Sequence, residues 1–132
     1  MINGTIAFTI SDNDLDIAEI ETELCFKPTK CVKRGQQISK FKIAPFDVWL
    51  YQIDFEGEMS FENELDNLMA ELSKSLSAIN NIRKRYREVT LDFYIRSEMG
   101  QMGLTLNSST LQKLACVGLD ANFHILSYGL VE

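Results

Sequence analysis

His124 is the only histidine in the chain, and imidazole is the side chain that most readily exchanges protons near neutral pH. It lies in a segment of alternating apolar and polar residues, which predicts a strand on which His124 shares a face with Asn122. An earlier alternating segment places a carboxylate, a phenol and a guanidinium on one strand face. If both polar faces point the same way, they form one wall able to bind a polar ligand. This candidate binding face consists of Asp92, Tyr94, Arg96, Asn122 and His124.

The same alternation is also typical of a plain solvated sheet face, because antiparallel sheets often expose one polar side. No serine supports a catalytic interpretation: Ser11, Ser97 and Ser127 all lack the Gly-x-Ser-x-Gly context of a nucleophile elbow. An enzyme hypothesis would therefore depend on His124 alone. The sequence favours a protein without catalytic residues and without a cofactor.

An acidic segment imitates part of a calcium-binding loop, with Asp12, Asp14 and Asp16 at alternate positions and Glu23 eleven residues after the first. An EF-hand loop needs glycine at its sixth position, where this chain has Ile17. Asp16 is better explained as a helix cap, since its side chain can accept from the free backbone donors of the first turn. We therefore predict a helix start here and no metal site.

The three cysteines, Cys25, Cys31 and Cys116, include no C-x-x-C pair, which argues against a zinc site. Their odd number predicts reduced thiols in the cytoplasm. We expect Cys25 to be a small core residue at a helix end. Two alternatives remain for Cys31. It is either an inert loop thiol or a reactive thiol whose pKa is lowered by Lys30 and Lys33.

A basic loop lies within residues 27–46, and its candidate contact residues are Lys30, Lys33 and Arg34. They could contact phosphate or an acidic protein, as could the basic run 83–87. Solvated side chains, or partners of a helix dipole for the second run, give the same pattern. The net charge is −6 and the isoelectric point about 4.8, which disfavours nucleic acid as a partner. No apolar run approaches 18 residues and no signal peptide is evident, so we expect a cytoplasmic protein without membrane contact.

The hydrophobic periodicity supplies the elements that must position these residues. Period-two patterns predict strands at 2–10, 47–55, 89–95 and 119–125, with an extended piece at 104–106; the 47–55 strand is apolar on both faces and is expected to be central. Helices are predicted from Asp16 to before Pro28, over about 25 residues from Phe61, and from Ser109, where a capping box opens, to Gly118. In the last helix we expect Leu111, Leu114 and Ala115 to face inward.

This order predicts an α+β fold: a two-layer α/β sandwich with a mixed, mostly antiparallel sheet and three helices packed on one face. The length of 132 residues is that of a single domain spanning 1–132.

Several segments carry a resemblance to a known family. They are Asp14-Leu15-Asp16-x-x-Glu19-Ile20, Leu24-x-x-x-Pro28-Thr29, Lys33-Arg34-Gly35, Val48-Trp49, the Tyr94 strand with its glycine-bearing turn, and Leu111-x-x-Leu114-Ala115-x-x-Gly118-Leu119-Asp120. With these segments the chain resembles, over nearly its whole length, the bacterial family catalogued as domain of unknown function 4279. The family often has an aromatic residue in the basic loop, where this chain has Cys31 and Val32. The resemblance implies a shared fold and no particular activity.

Two functional hypotheses follow. The first is a non-catalytic interaction protein that binds a basic partner, as immunity proteins do; it depends on the glutamates Glu19, Glu21, Glu23, Glu56, Glu58, Glu62 and Glu64. The second is a small-molecule-binding domain or weakly marked enzyme that uses the face around His124, with the 27–46 loop as a lid. Homodimerisation through that face, at Val48, Leu50 and Leu126, is a third hypothesis. The charge excess favours the first by a small margin.

Overall fold

The computed structural model describes the backbone of residues 2–130 and the side chains of residues 2–129. The elements follow one another as β1 (Ile2–Asp12), α1 (Ile17–Leu24), β2 (Lys30–Val32), β3 (Gln37–Ser39), β4 (Lys42–Ile43), β5 (Asp47–Glu56), α2 (Glu58–Ser73), α3 (Leu76–Arg85), β6 (Glu88–Met99), α4 (Ser108–Val117) and β7 (Asp120–Leu130).

Five strands form one sheet in the order β2-β5-β1-β6-β7, and β3 with β4 forms a separate small hairpin. The pairs β2–β5, β5–β1 and β1–β6 are antiparallel, whereas β6 and β7 are parallel. The predicted α+β class and mixed sheet are confirmed. The centre of the sheet is β1 rather than β5, which lies between β1 and the short β2. The parallel pair arises because α4 carries the chain from the end of β6 back to its start.

The hydrophobic core lies between one face of the sheet and the helices. Ile6, Phe8 and Ile10 alternate along β1 and are fully buried, as the period of a strand requires. They belong to one hydrophobic cluster with Phe61 and Leu68 of α2 and with buried residues of the other helices. Burial of each large apolar side chain contributes roughly 1.5–3 kcal/mol. The opposite sheet face is left without a helix and is called the open face below.

The prediction of three helices is wrong, because the long periodic segment forms two helices, α2 and α3. The break lies at Lys74 and Ser75, whose N–H groups donate to carbonyls three residues back, from Glu71 and Leu72. The Ser75 hydroxyl donates to the carbonyl of Leu24 at 3.1 Å, a contact with α1 that competes with helical bonding. The apolar stripe continues across the break, so periodicity alone cannot reveal it.

The helix caps agree with the sequence at α1 and differ from it at α4. Asp16 Oδ1 accepts from the Glu19 N–H at 3.1 Å, as predicted. The cap of α4 is Asn107, whose Oδ1 accepts from the Thr110 N–H at 2.8 Å, so the predicted capping box at Ser109 is wrong. Asparagine and serine are both strong caps, and the sequence offered both within three residues.

This start of α4 changes which of its residues face the core. Thr110 and Val117 are buried, Leu114 is half-buried, and Leu111 and Ala115 are exposed, so the inward orientation predicted for the last two is wrong. Residues 104–106, predicted as a short strand or extended piece, form no strand. None of the helices within residues 2–130 has both the length and the apolar character that crossing a bilayer requires.

Candidate functional site

The parallel register of β6 and β7 brings the predicted binding residues side by side on the open face. Asp92 is aligned with Asn122 and Tyr94 with His124, while Arg96 is aligned with Leu126. Because both strands run in the same direction, each residue of one chain segment has a partner about 4.8 Å away on the other. Four of the five predicted residues form one cluster of contacts.

Asp92 is the buried centre of this cluster, with 7% of its surface exposed. Its Oδ2 accepts from the Thr90 hydroxyl at 3.1 Å, and its Oδ1 accepts from the Asn122 side-chain amide at 3.1 Å. Nε2 of His124 lies 3.7 Å from the same Oδ1. A buried carboxylate requires such donors to offset its lost hydration, and a protonated His124 would add an ion pair.

Tyr94 and His124 form the exposed end of the cluster. Their rings are stacked, with centroids 4.6 Å apart and planes 11° from parallel. Burial of the Tyr94 phenol, and next the charge of Asp92, raise its pKa above the ordinary value. The phenol therefore stays protonated at neutral pH and can donate a hydrogen bond.

Gly4 fixes the position of Tyr94 from the neighbouring strand. An added Cβ at Gly4 would lie 1.7 Å from the carbonyl oxygen of Tyr94, so no larger residue fits between β1 and β6 at this point. Arg96, the fifth predicted residue, donates from its Nε to Asn3 Oδ1 at 3.2 Å, and with Tyr94 and His124 it lines a second depression of about 390 Å³.

The open face is concave and contains a cleft of about 830 Å³, called the open-face cleft. Asp92, Tyr94, Asn122 and His124 line one side of it. Its remaining lining is Ala7, Thr9, Ser11, Val48, Leu50, Gln52, Arg83, Tyr86, Arg87, Glu88, Val89, Thr90 and Asp120. Arg96 is not among the lining residues.

Arg83, Tyr86 and Arg87 are cleft residues that the sequence analysis did not assign to the binding face. Within residues 2–130, neither guanidinium forms a salt bridge, and that of Arg87 lies over the Phe46 ring at 5.4 Å from its centroid. The basic run at the C-terminal end of a helix was interpreted as a set of dipole partners. Its position directly before β6 was the available signal, since residues that lead into a strand lie at the end of its sheet.

The basic loop is tied to the fold by Asp47, which is 5% exposed. Its carboxylate accepts from the N–H groups of Arg34 at 2.7 Å and Leu15 at 3.0 Å, and Lys33 Nζ lies 3.5 Å away. Burial opposes ionisation, but these donors hold the pKa of Asp47 below its ordinary value. The Lys33 ammonium is therefore paired with the carboxylate of Asp47 rather than unpaired.

The other loop residues differ in their surroundings. The Arg34 guanidinium lies 3.4 Å from Asp14, in an exposed pair, and Lys30 is exposed on β2. None of Lys30, Lys33 and Arg34 lines the open-face cleft, so the structure does not bring the basic loop over the binding face as the lid hypothesis supposed.

The cysteines are all free thiols. Cys25 is exposed at the end of α1 with a positive φ of 64°, so the prediction of a core residue is wrong; the chain turns in the left-handed region there to end the helix. The pKa of Cys31 is raised, first by burial and then by Glu21, against the smaller opposing effect of Lys33. The raised pKa favours the inert loop thiol over a cation-activated one at Cys31.

The acidic segment before α1 is used by the backbone and by arginines. Asp12 Oδ2 accepts from the Arg87 N–H at 2.9 Å, Asp14 pairs with Arg34, and Asp16 caps α1. In the part of the chain that the structure describes, no group of three or more histidine, cysteine or acidic side chains is arranged to hold a metal ion.

The glutamates of α1 are partly neutralised by α3. The Arg85 guanidinium donates to Glu19 and, at 3.0 Å, to Glu23. Burial works against the charged form, but Glu19 and then Glu23 raise the pKa of Arg85. This clamp ties α1 to α3 and removes two carboxylates from the acidic surface on which the interaction hypothesis depends.

Comparison with known proteins gives one match. The model of the family described as Domain of unknown function (DUF4279) matches residues 2–128. No curated protein and no solved structure matches the chain.

Proposed function

We propose that the open-face cleft of this chain, which belongs to the DUF4279 family, binds a small polar ligand. The ligand carries both a cationic or hydroxyl donor and an anionic group. The observation that supports this most directly is the convergence of Asp92, Asn122 and His124 on a cleft of about 830 Å³. Ligand sites usually measure roughly 300–1,000 Å³ and contain a few convergent polar groups.

The donor of the ligand would meet Asp92. This carboxylate is almost buried, and its hydrogen-bond donors, Thr90 and Asn122, are neutral. A ligand ammonium or hydroxyl at this position would gain a charge-assisted hydrogen bond, which is about twice as strong as a neutral one. His124 Nε2 lies close enough to share the same ligand atom.

The anionic group of the ligand would meet Arg83 and Arg87. Both guanidiniums line the cleft, and within residues 2–130 neither has a carboxylate partner. The distance from Thr90 to Tyr94 along β6 is about 13 Å at 3.3 Å per residue, so the two ends of the cleft suit a ligand several bonds long.

The mixed charge of the lining favours a zwitterion over an ion of one sign. Three carboxylates, from Glu88, Asp92 and Asp120, face the same cleft as the two guanidiniums. A simple anion or cation would meet repulsion from one of these sets, whereas a zwitterion can match both.

We propose binding rather than catalysis. Among the described residues, no serine, threonine or cysteine side chain is hydrogen-bonded to His124, although a nucleophile with its base usually shows such a contact.

The experiment is a heteronuclear NMR titration of the wild-type protein with free α-amino acids, dipeptides and phosphoethanolamine. Inorganic phosphate and polyamines serve as single-sign comparisons. We expect zwitterions to shift amides of 90–94 and 120–124 and single-sign ions to do so weakly. Asp92→Asn should weaken binding at least tenfold, because it removes the charge with little change of shape. If no zwitterion shifts these amides, the proposal fails.

Asp54→Asn is the matched control. Asp54 lies on β5 and accepts from Thr5 Oγ1 at 2.9 Å, but it does not line the cleft. Its replacement should leave ligand affinity within twofold of the wild type. Equal losses in both variants would show an effect of net charge rather than of the site.

A basic protein partner is the second candidate function. Met59 is 79% exposed and lies beside Glu58 at the start of α2, near Glu56; within residues 2–130, neither glutamate forms a salt bridge. In this proposal Glu56 and Glu58 attract the basic partner and Met59 contacts it. Affinity capture from native cells should then retain a basic protein that the charge reversal Glu58→Lys releases.

We propose a cytoplasmic location for the protein under either function. Cys25, Cys31 and Cys116 are all exposed free thiols, as expected of a protein in a reducing compartment. Labelling of the protein in intact cells with a permeant thiol reagent, but not an impermeant one, would test it.

A further inference from the structure

Strand β7 forms one edge of the five-stranded sheet, and in the part of the chain that the structure describes no other strand covers it. It is eleven residues long, and residues 120–129 are all exposed. The outer edge of such a strand presents backbone donors and acceptors to any strand that approaches. An uncovered edge of this length is a pairing site unless side chains prevent it.

The side chains of β7 do not prevent it. From residue 121 to residue 130 the strand has no Asp, Glu, Lys or Arg. The opposite side of the sheet differs, because β2 has three residues and carries Lys30, and β5 extends past it with Asp54 and Glu56. Short length and charge are the usual means by which proteins block edge pairing. Both are present at that side and absent along β7.

Apolar side chains are exposed on both faces of β7. Phe123 is 46% and Ile125 is 60% exposed on the face toward the helices, although Phe123 stacks on Phe93. On the open face, Leu126 and Tyr128 are more than half exposed. The helix layer therefore ends short of β7. Val48 and Leu50, which with Leu126 suggested a dimer through the open face, line the cleft instead.

We propose that a second copy of this chain pairs with β7, edge to edge and antiparallel, to form a continuous ten-stranded sheet. A two-fold axis makes such an interface self-complementary. Full overlap of the two strands places Ile125 opposite its own counterpart and Phe123 opposite Ser127 of the second copy. Along 121–129 no charged pair of like sign meets, which matters for a chain of net charge −6.

The size of the contact sets the expected strength. Eleven residues at about 3.4 Å each give a strip about 37 Å long and about 10 Å deep. The two copies together would bury roughly 740 Å², which is below the standard size of stable interfaces and typical of a weak one. The dimer is therefore expected to be weak and reversible.

Pairing would also place Tyr128 of the second copy opposite Asn122, on the open face. The aromatic ring would extend the His124 side of the open-face cleft. The dimer itself requires no ligand, so its presence or absence is measured separately from ligand binding.

Sedimentation velocity over a concentration series tests the dimer. We expect the wild type to dimerise, and Ile125→Lys to raise the dissociation constant at least tenfold, because two lysines would meet at the axis. The matched control is Ile43→Lys, on the β3–β4 hairpin, where the isoleucine is 63% exposed; it should stay within twofold of the wild type. A wild type that remains monomeric up to about 500 µM would leave the edge to some other partner and overturn the proposal.

A cysteine cross-link tests the register and does not depend on a destabilising charge. Cys25, Cys31 and Cys116 are exposed and can be replaced by serine. In that background Ile125→Cys should form a disulfide-linked dimer under mild oxidation, since directly opposite Cβ atoms lie about 4.5–5.5 Å apart. Ile43→Cys should not. Equal cross-linking of both variants, or of neither, would contradict the antiparallel β7 pairing.

Discussion

The imidazole of His124 lies flat against the phenol of Tyr94, with ring centroids 4.6 Å apart, because β6 and β7 are parallel and in register at these two residues. Asp92, two residues before Tyr94 on the same strand, completes the group and accepts from Asn122. The electrostatic coupling between these side chains can be measured without a ligand.

Asp92→Asn should lower the pKa of Tyr94. Burial is the larger cause of its raised pKa and persists in the variant, so the decrease should be partial. NMR titration of the tyrosine ring carbons measures it, with Asp54→Asn as control. Because the folded pKa lies above the unfolded value of about 10, this phenol contributes stability below that pH and the contribution is lost as pH rises through the folded pKa. An unchanged Tyr94 pKa in Asp92→Asn would contradict the coupling.

Gly4→Ala should destabilise the sheet and displace Tyr94. The added Cβ would lie 1.7 Å from the Tyr94 carbonyl oxygen, and that atom belongs to a paired backbone that cannot move without breaking the β1–β6 ladder. We expect a loss of about 3 kcal/mol in the free energy of unfolding, at the upper end of overpacking effects. Urea denaturation measures the loss.

Gly103→Ala is the control for that substitution. A Cβ at Gly103 would meet no atom within 4 Å. Its effect should remain within about 0.5 kcal/mol, as for most surface substitutions. Similar losses at both glycines would show that the cost does not come from the close approach to Tyr94.

Asp47→Asn should destabilise the junction of the basic loop, β5 and α1. The amide keeps one acceptor where the carboxylate satisfied the N–H groups of Arg34 and Leu15, and we expect a loss of about 1–3 kcal/mol. The folded pKa of Asp47 is depressed, so its contribution is present above the unfolded pKa of about 3.9 and lost as pH falls through the folded pKa.

The wild type should accordingly lose more stability below about pH 4 than Asp47→Asn does. Urea denaturation at a series of pH values measures this difference. Parallel pH profiles for the two proteins would show that Asp47 is not held ionised by its donors.

Cys31 should react slowly with iodoacetamide at neutral pH. Partial desolvation of this exposed thiol, and then Glu21, raise its pKa, so little thiolate is present. Glu21→Gln should speed its alkylation, whereas Glu98→Gln, at an exposed glutamate of β6, should not. Mass spectrometry of the Cys31 peptide against pH gives the rates. Faster alkylation of Cys31 in wild type than in Glu21→Gln would contradict this account.

The sequence predicted those features that depend on local periodicity and local hydrogen bonding. The alternation at Ile6, Phe8 and Ile10 predicted β1, and Asp16 was identified as the cap of α1. The break between α2 and α3 was missed because it depends on a contact from Ser75 to Leu24, which lies 51 residues away in the chain.

The candidate site likewise combines residues that local patterns predicted with residues that they did not. Alternation placed Asp92 and Tyr94 on one strand face, and Asn122 and His124 on another. The presence of Arg83 and Arg87 in the cleft depends on how α3 delivers the chain to β6, and the only local signal for it was their position directly before that strand.

By itself, the sequence determined the α+β class, the mixed sheet and the polar faces of its last two long strands, because side-chain alternation and capping act over a few residues. The tertiary structure alone decided that β6 and β7 lie parallel and in register, that the open face is concave and that β7 is an edge. Strand order and register are set by packing of the whole core, where residues far apart in the chain compete for the same neighbours.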